Sequence, residues 1–164
     1  MTDTELILKA YEILKGLTPL KSDCGRLCNA ACCKGDEDTG MLLFPGESEL
    51  FDGLGDFVIK KQGELDVVIC NGHCKREQRP LSCRIFPLAI VYDGSRVKVI
   101  ADHRSIPICP LYRQALSDRL DPAFRRAVKE VALMLGKSES IKGFLAEINS
   151  QCEQAKEIYT NLVK

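Results

Sequence analysis

Apolar residues recur every three or four positions near both ends of this chain, and between those ends they gather in short runs. Over residues 4–15, Leu6, Ile7, Ala10, Tyr11, Ile13 and Leu14 form a helical stripe that Leu17 continues. Thr2 with Glu5 predicts a capping box at its start, and Gly16, followed by Pro19, predicts its stop. After Met41–Pro45, a short helix is expected from Glu47 to about Leu54, ended by Gly53 and Gly55. Phe57–Lys60 and Leu65–Ile69 read as strands joined around Gln62-Gly63. Leu88–Tyr92 and Val97–Ile100 flank Asp93-Gly94, the clearest hairpin signal in the chain. Pro110–Ser117 predicts a short helix. Pro122 then opens one that runs to about Leu135, with Asp121 as cap and Gly136 as stop. Ser138 is the cap of a last long helix, whose stripe is Ile141, Phe144, Leu145, Ile148, Cys152, Ala155, Tyr159 and Leu162.

The expected fold is therefore α+β: a small antiparallel sheet with cysteine-rich metal-binding loops, flanked by N-terminal and C-terminal helices. At 164 residues the chain reads as a single domain, 1–164. Its cysteine-cluster core spans about 20–110 and its helical part about 110–164. A chain of this size buries roughly 70% of its unfolded surface, enough for a real core. Lys+Arg and Asp+Glu both number 23, so the phosphate-neutralising excess of a nucleic-acid binder is missing and no nucleic-acid partner is expected. The basic run Lys75–Arg79 reads as a solvated loop. The N-terminus has no signal-peptide pattern and no segment is long and apolar enough to cross a bilayer. These features predict a cytoplasmic protein with no membrane partner.

That compartment changes the meaning of the nine cysteines. Eight fall into two groups: Cys24, Cys28, Cys32 and Cys33, then Cys70, Cys74, Cys83 and Cys109. A reducing cytosol disfavours structural disulfides, and an odd total closes no disulfide set. Thiols this dense are oxidation hazards unless they are tied up by a metal. Cys24, Cys28 and Cys32 lie four apart, so a short helical turn puts all three on one face. The adjacent pair Cys32-Cys33 argues against simple core packing, because neighbouring side chains in an extended segment point opposite ways. The pair suits one tetrahedral ion poorly and fits two ions, a polynuclear centre, or a ligand beside a second thiol. Sulfur ligation does not separate zinc from an iron–sulfur cluster, so the expected cofactor is zinc or iron.

Cys152 sits on the apolar stripe of the last helix and reads as core. His73 beside Cys74 reads as a bystander more readily than a ligand, and His103 as structural or exposed. Arg79-Pro80 and Arg84-x-Phe86-Pro87 bracket Cys83. Arg79 and Arg84 are the candidate cofactor-binding residues. In one reading they offset the negative charge of a thiolate centre, and in the other they hold an anionic substrate. The structural role is favoured.

The string from Cys74 through Arg79-Pro80 to Cys83-Arg84-x-Phe86-Pro87, downstream of a group ending in Cys32-Cys33, resembles the YkgJ-type cysteine-cluster family. Members of that family are described as zinc- or iron-chelating domains. The resemblance covers about residues 24–110. It implies a first ligand group of Cys24, Cys28, Cys32 and Cys33, and a second containing Cys74 and Cys83 with Cys70 and Cys109. The first group is more widely spaced than the family's form, and the Cys70 to Cys74 gap is contracted. The family's cysteine pattern is also similar to part of a bacterial lysine N-methylase acting on flagellin. By that analogy the alternative function is an iron–sulfur or zinc enzyme of methyl-transfer or redox type. The chain has no glycine-rich nucleotide loop and no Ser/His/Asp arrangement to support it further.

Overall fold

The computed structural model describes residues 1–21, 40–70 and 75–162. Helix α1 (Asp3–Ile13) opens on the predicted capping box: the Thr2 hydroxyl accepts from the Glu5 N–H, and the Glu5 carboxylate accepts from the Thr2 N–H. It buries Leu6, Ile7 and Ala10. Strands β1 (Met41–Leu42), β2 (Phe57–Gln62) and β3 (Leu65–Cys70) form an antiparallel sheet in the order β1-β3-β2. A short helix α2 (Leu81–Ile85) follows, and a cis Phe86–Pro87 bond leads from it into a second sheet of β4 (Leu88–Tyr92) and β5 (Val97–Ala101). Helices α3 (Tyr112–Leu116), α4 (Pro122–Leu135) and α5 (Glu139–Leu162) complete the fold.

The fold is α+β, as the patterning predicts, but its strands make two small antiparallel sheets where one is expected. The segment expected to be helical from Glu47 to Leu54 holds only a 3-10 turn, Ser48–Phe51. The Asp52 backbone is already extended and Gly53 has φ +78°, which stops the turn from propagating. The β4–β5 connection is a four-residue loop, with Asp93 N–H donating to the Arg96 carbonyl. The Asp93 carboxylate accepts from the N–H groups of Arg96 and Ser95, and these bonds hold its pKa well below the usual carboxylate range.

One hydrophobic cluster runs from Leu6 on α1 through β4 to Cys152 on α5. All of Leu88, Ala89, Ile90 and Val91 are buried in it, because α5 packs on β4 while α4 packs on β5 and α1. A smaller cluster of Leu43, Phe51, Phe57 and Val68 lies on the other side of the three-stranded sheet. Strand β3 separates the two, with Val67 facing the large cluster and the adjacent Val68 the small one.

Two glycines fix how β1 and the turn after it are seated. At Gly40 a Cβ would collide with the Val68 carbonyl oxygen and lie 2.8 Å from the Val67 side chain. Only glycine lets the chain enter β1 so close to β3. Gly46 has φ +80° and lies on the first turn of α1, where a Cβ would be 2.7 Å from the Thr4 nitrogen. The Thr4 hydroxyl donates to the Gly46 carbonyl at 2.8 Å. This contact places the next residue, Glu47, inside the protein.

Candidate metal centre

Of the eight predicted ligands, Cys70, Cys83 and Cys109 fall within the described residues; Cys24, Cys28, Cys32, Cys33 and Cys74 lie outside them, as does His73. Cys70 closes β3, opposite Phe57, and packs half-buried against the small cluster. Cys83 lies in the middle of α2, where its N–H donates to the Pro80 carbonyl at 3.0 Å. Cys109 follows the 3-10 turn His103–Ser105, donates its N–H to the Ser105 carbonyl at 2.8 Å and packs against the large cluster. Among the described residues, no three His, Cys, Asp or Glu side chains come together to hold an ion. Cys83, Cys109, Arg79 and Arg84 are each engaged by neighbouring groups.

Two of the described cysteine-bearing segments adjoin the three-stranded sheet, the end of β3 with Cys70 and helix α2 with Cys83. Met41 pairs with Val68 and Leu42 with Val67, so Gly40 lies beside the end of β3 that Cys70 closes. Helix α2 is tied to β1: the Ser82 hydroxyl donates to the Leu42 carbonyl at 2.7 Å. Ser82 is the neighbour of Cys83.

Helix α2 rests on a buried carboxylate that the sequence pattern does not reveal. Glu47 has 0% exposure. Its Oε1 accepts from the Tyr11 hydroxyl at 2.5 Å and from the Leu81 N–H at 2.6 Å, and its Oε2 accepts from the Phe44 N–H at 2.9 Å. Burial pushes the Glu47 carboxyl upward in pKa, against the pull of these three donors and of the Arg84 charge. Burial, and then the nearby Glu47 charge, push the Tyr11 phenol far above its ordinary value, so it stays protonated as a donor. The Arg84 guanidinium stacks 4.0 Å from the centre of the Tyr11 ring. It also donates through Nε to the Arg79 carbonyl and through Nη2 to the Glu77 carbonyl, both at 2.7 Å. Arg84 thus closes the loop that precedes Cys83. The only sequence signal for Glu47 is an acid directly after the Pro45-Gly46 turn of an apolar run.

A second polar network lies beneath α5. Asp102, 2% exposed, accepts from the Arg104 backbone N–H at 3.0 Å, from its Nε at 2.9 Å and from its Nη2 at 2.8 Å. The Cys152 thiol points at Asp102 Oδ1 from 3.6 Å, and Arg104 Nη1 donates to Gln151 Oε1 at 3.2 Å. Burial, and then Asp102, push the Cys152 thiol up to about 12. His103 shares a 2.8 Å hydrogen bond with the Tyr112 hydroxyl, and burial lowers its pKa. Cys152 is core, as its place on the stripe predicts, and it also serves this network.

No family model, curated protein or solved structure matches the chain. No helix among the described residues is long and apolar enough to cross a membrane.

Proposed function

We propose that this chain binds zinc or iron through two groups of cysteine thiolates: Cys24, Cys28, Cys32 and Cys33, and Cys70, Cys74, Cys83 and Cys109. The reading agrees with the resemblance to the YkgJ-type chelating domains. One structural observation supports it above others. Gly40 at the entry to β1, the Cys70 end of β3 and the helix that carries Cys83 all adjoin one small sheet. A metal that gathers thiolates from such remote stretches of chain would add its binding energy to folding. The donor set is soft sulfur, which suits zinc or an iron–sulfur centre. A four-thiolate site carries a net charge near −2, which Arg79 and Arg84 beside Cys83 offset.

Purification without oxygen, followed by metal analysis and an absorption spectrum, tests this. Bound zinc or iron is expected, with thiols that react with a labelling reagent only after a chelator removes the metal. Visible charge-transfer bands would identify iron–sulfur, and a colourless loaded protein zinc. Cys83→Ser should lower the metal content while Cys152→Ser leaves it unchanged. A folded, metal-free chain whose cluster thiols all react at once would refute the proposal.

A further inference from the structure

Glu47 gathers donors from three separate parts of the chain: Tyr11 on α1, Phe44 after β1, and Leu81 at the start of α2. The last of these is the informative one. Helix α2 has only five residues, its N-cap is Pro80, and no side chain of its own caps it. Its first N–H groups lack partners within the helix, as at any helix start. Glu47 supplies one from 34 positions upstream, and Cys83 stands two residues after Leu81. An apolar side chain at position 47 would fill the same space without directing that N–H.

We propose that Glu47 is a positioning residue for the Cys83 thiolate: it sets the seat of the helix that carries the sulfur, without touching the metal. The inference rests on the metal-binding reading above. A ligand held by tertiary bonds loses little freedom when it closes on an ion, so removing those bonds weakens the site even where the fold survives. Glu47→Gln is the sharpest probe. A glutamine amide offers one oxygen in place of two, so its NH2 group faces either the Phe44 or the Leu81 N–H, donor against donor. Tyr11→Phe is milder, since it removes the hydroxyl and leaves both N–H bonds to Glu47 in place.

Cobalt(II) titration of the reduced, metal-free full chain reads both affinity and the ligand field. Wild type should develop thiolate–cobalt charge-transfer and d–d bands. Glu47→Gln should weaken cobalt binding about tenfold and shift the d–d bands. Tyr11→Phe should act in the same direction by about two- to threefold, a fraction of one hydrogen bond, and it keeps the test decisive if Glu47→Gln does not fold. Asp121→Ala, which removes the cap of α4, is the control for a purely global loss of stability and should leave the spectrum unchanged. Wild-type bands with unaltered spectra and affinities in both variants would overturn the role of Glu47 alone. A wild-type chain that binds no cobalt would overturn the metal centre and Glu47's role with it.

Discussion

Replacing Asp102 with alanine removes the acceptor for three Arg104 hydrogen bonds and for the Cys152 thiol at one stroke. Breaking a buried ion pair by deleting one partner typically costs about 3–5 kcal/mol, because the surviving charge stays buried. Arg104 retains 30% side-chain exposure and keeps its 3.2 Å bond to Gln151, so water recovers part of that loss. An expected destabilisation of about 2–3 kcal/mol follows. Urea unfolding followed by far-UV circular dichroism measures it. With an m-value of about 2 kcal/mol/M for a chain of this size, the midpoint should fall by about 1–1.5 M at unchanged slope. Arg104→Leu in the Asp102→Ala background removes the orphaned charge and should restore part of the loss, giving a coupling energy above about 1 kcal/mol. A midpoint shift below about 0.3 M, or strictly additive single variants, would refute the view that this pair fastens α5 to the turn after β5.

Two pH dependences follow from the same network. Burial raises the Cys152 pKa from its ordinary 9.0 to about 12, so its contribution to stability is complete below pH 9 and is lost as the pH climbs toward 12. Urea midpoints at pH 8 and pH 10 should therefore differ more in wild type than in Cys152→Ala. Burial lowers the His103 pKa below its ordinary 6.5. The unfolded chain then binds the proton first, and stability present above pH 6.5 declines as the pH falls below it. Thermal unfolding between pH 7.5 and 5 should show this decline in wild type and a flatter profile in His103→Gln.

Local signals carry through to the structure most faithfully. Asp121 accepts from the N–H groups of Ala123 and Phe124, within three residues of itself, and α4 runs from Pro122 to Leu135 as its caps predict. The Thr2–Glu5 capping box and the stripe of α5 are equally local, and Ile141, Leu145 and Cys152 are all fully buried. What the pattern misses depends on remote partners. Helix α2 follows a proline and is only five residues long; it owes its seat to Glu47 and to Leu42, 34 and 40 positions from the groups they bind. Glu47 reads as the start of a helix because nothing nearby indicates Tyr11 or Leu81 as its donors. Asp102 and Arg104 meet Cys152 and Gln151 only because α5 folds back over the end of β5. Among the candidate ligands, spacing identifies Cys70, Cys83 and Cys109 as a group, yet they stand on a strand end, in a helix and after a turn. Sequence spacing alone carries no information about such differences in backbone setting.

Strand β3 has one practical consequence for the proposed metal-binding reading. Because its two faces belong to separate apolar clusters, the β2–β3 hairpin and the Phe51 turn form a small cooperative unit beside a much larger one. Such a unit is expected to open at a lower free energy than the whole molecule, so in hydrogen exchange its amide protons should exchange faster than those of β4 or α5. Cys70 belongs to that unit. If the proposed metal centre forms, Cys70 would be released or admitted at this edge while the helices that preserve the shape stay folded.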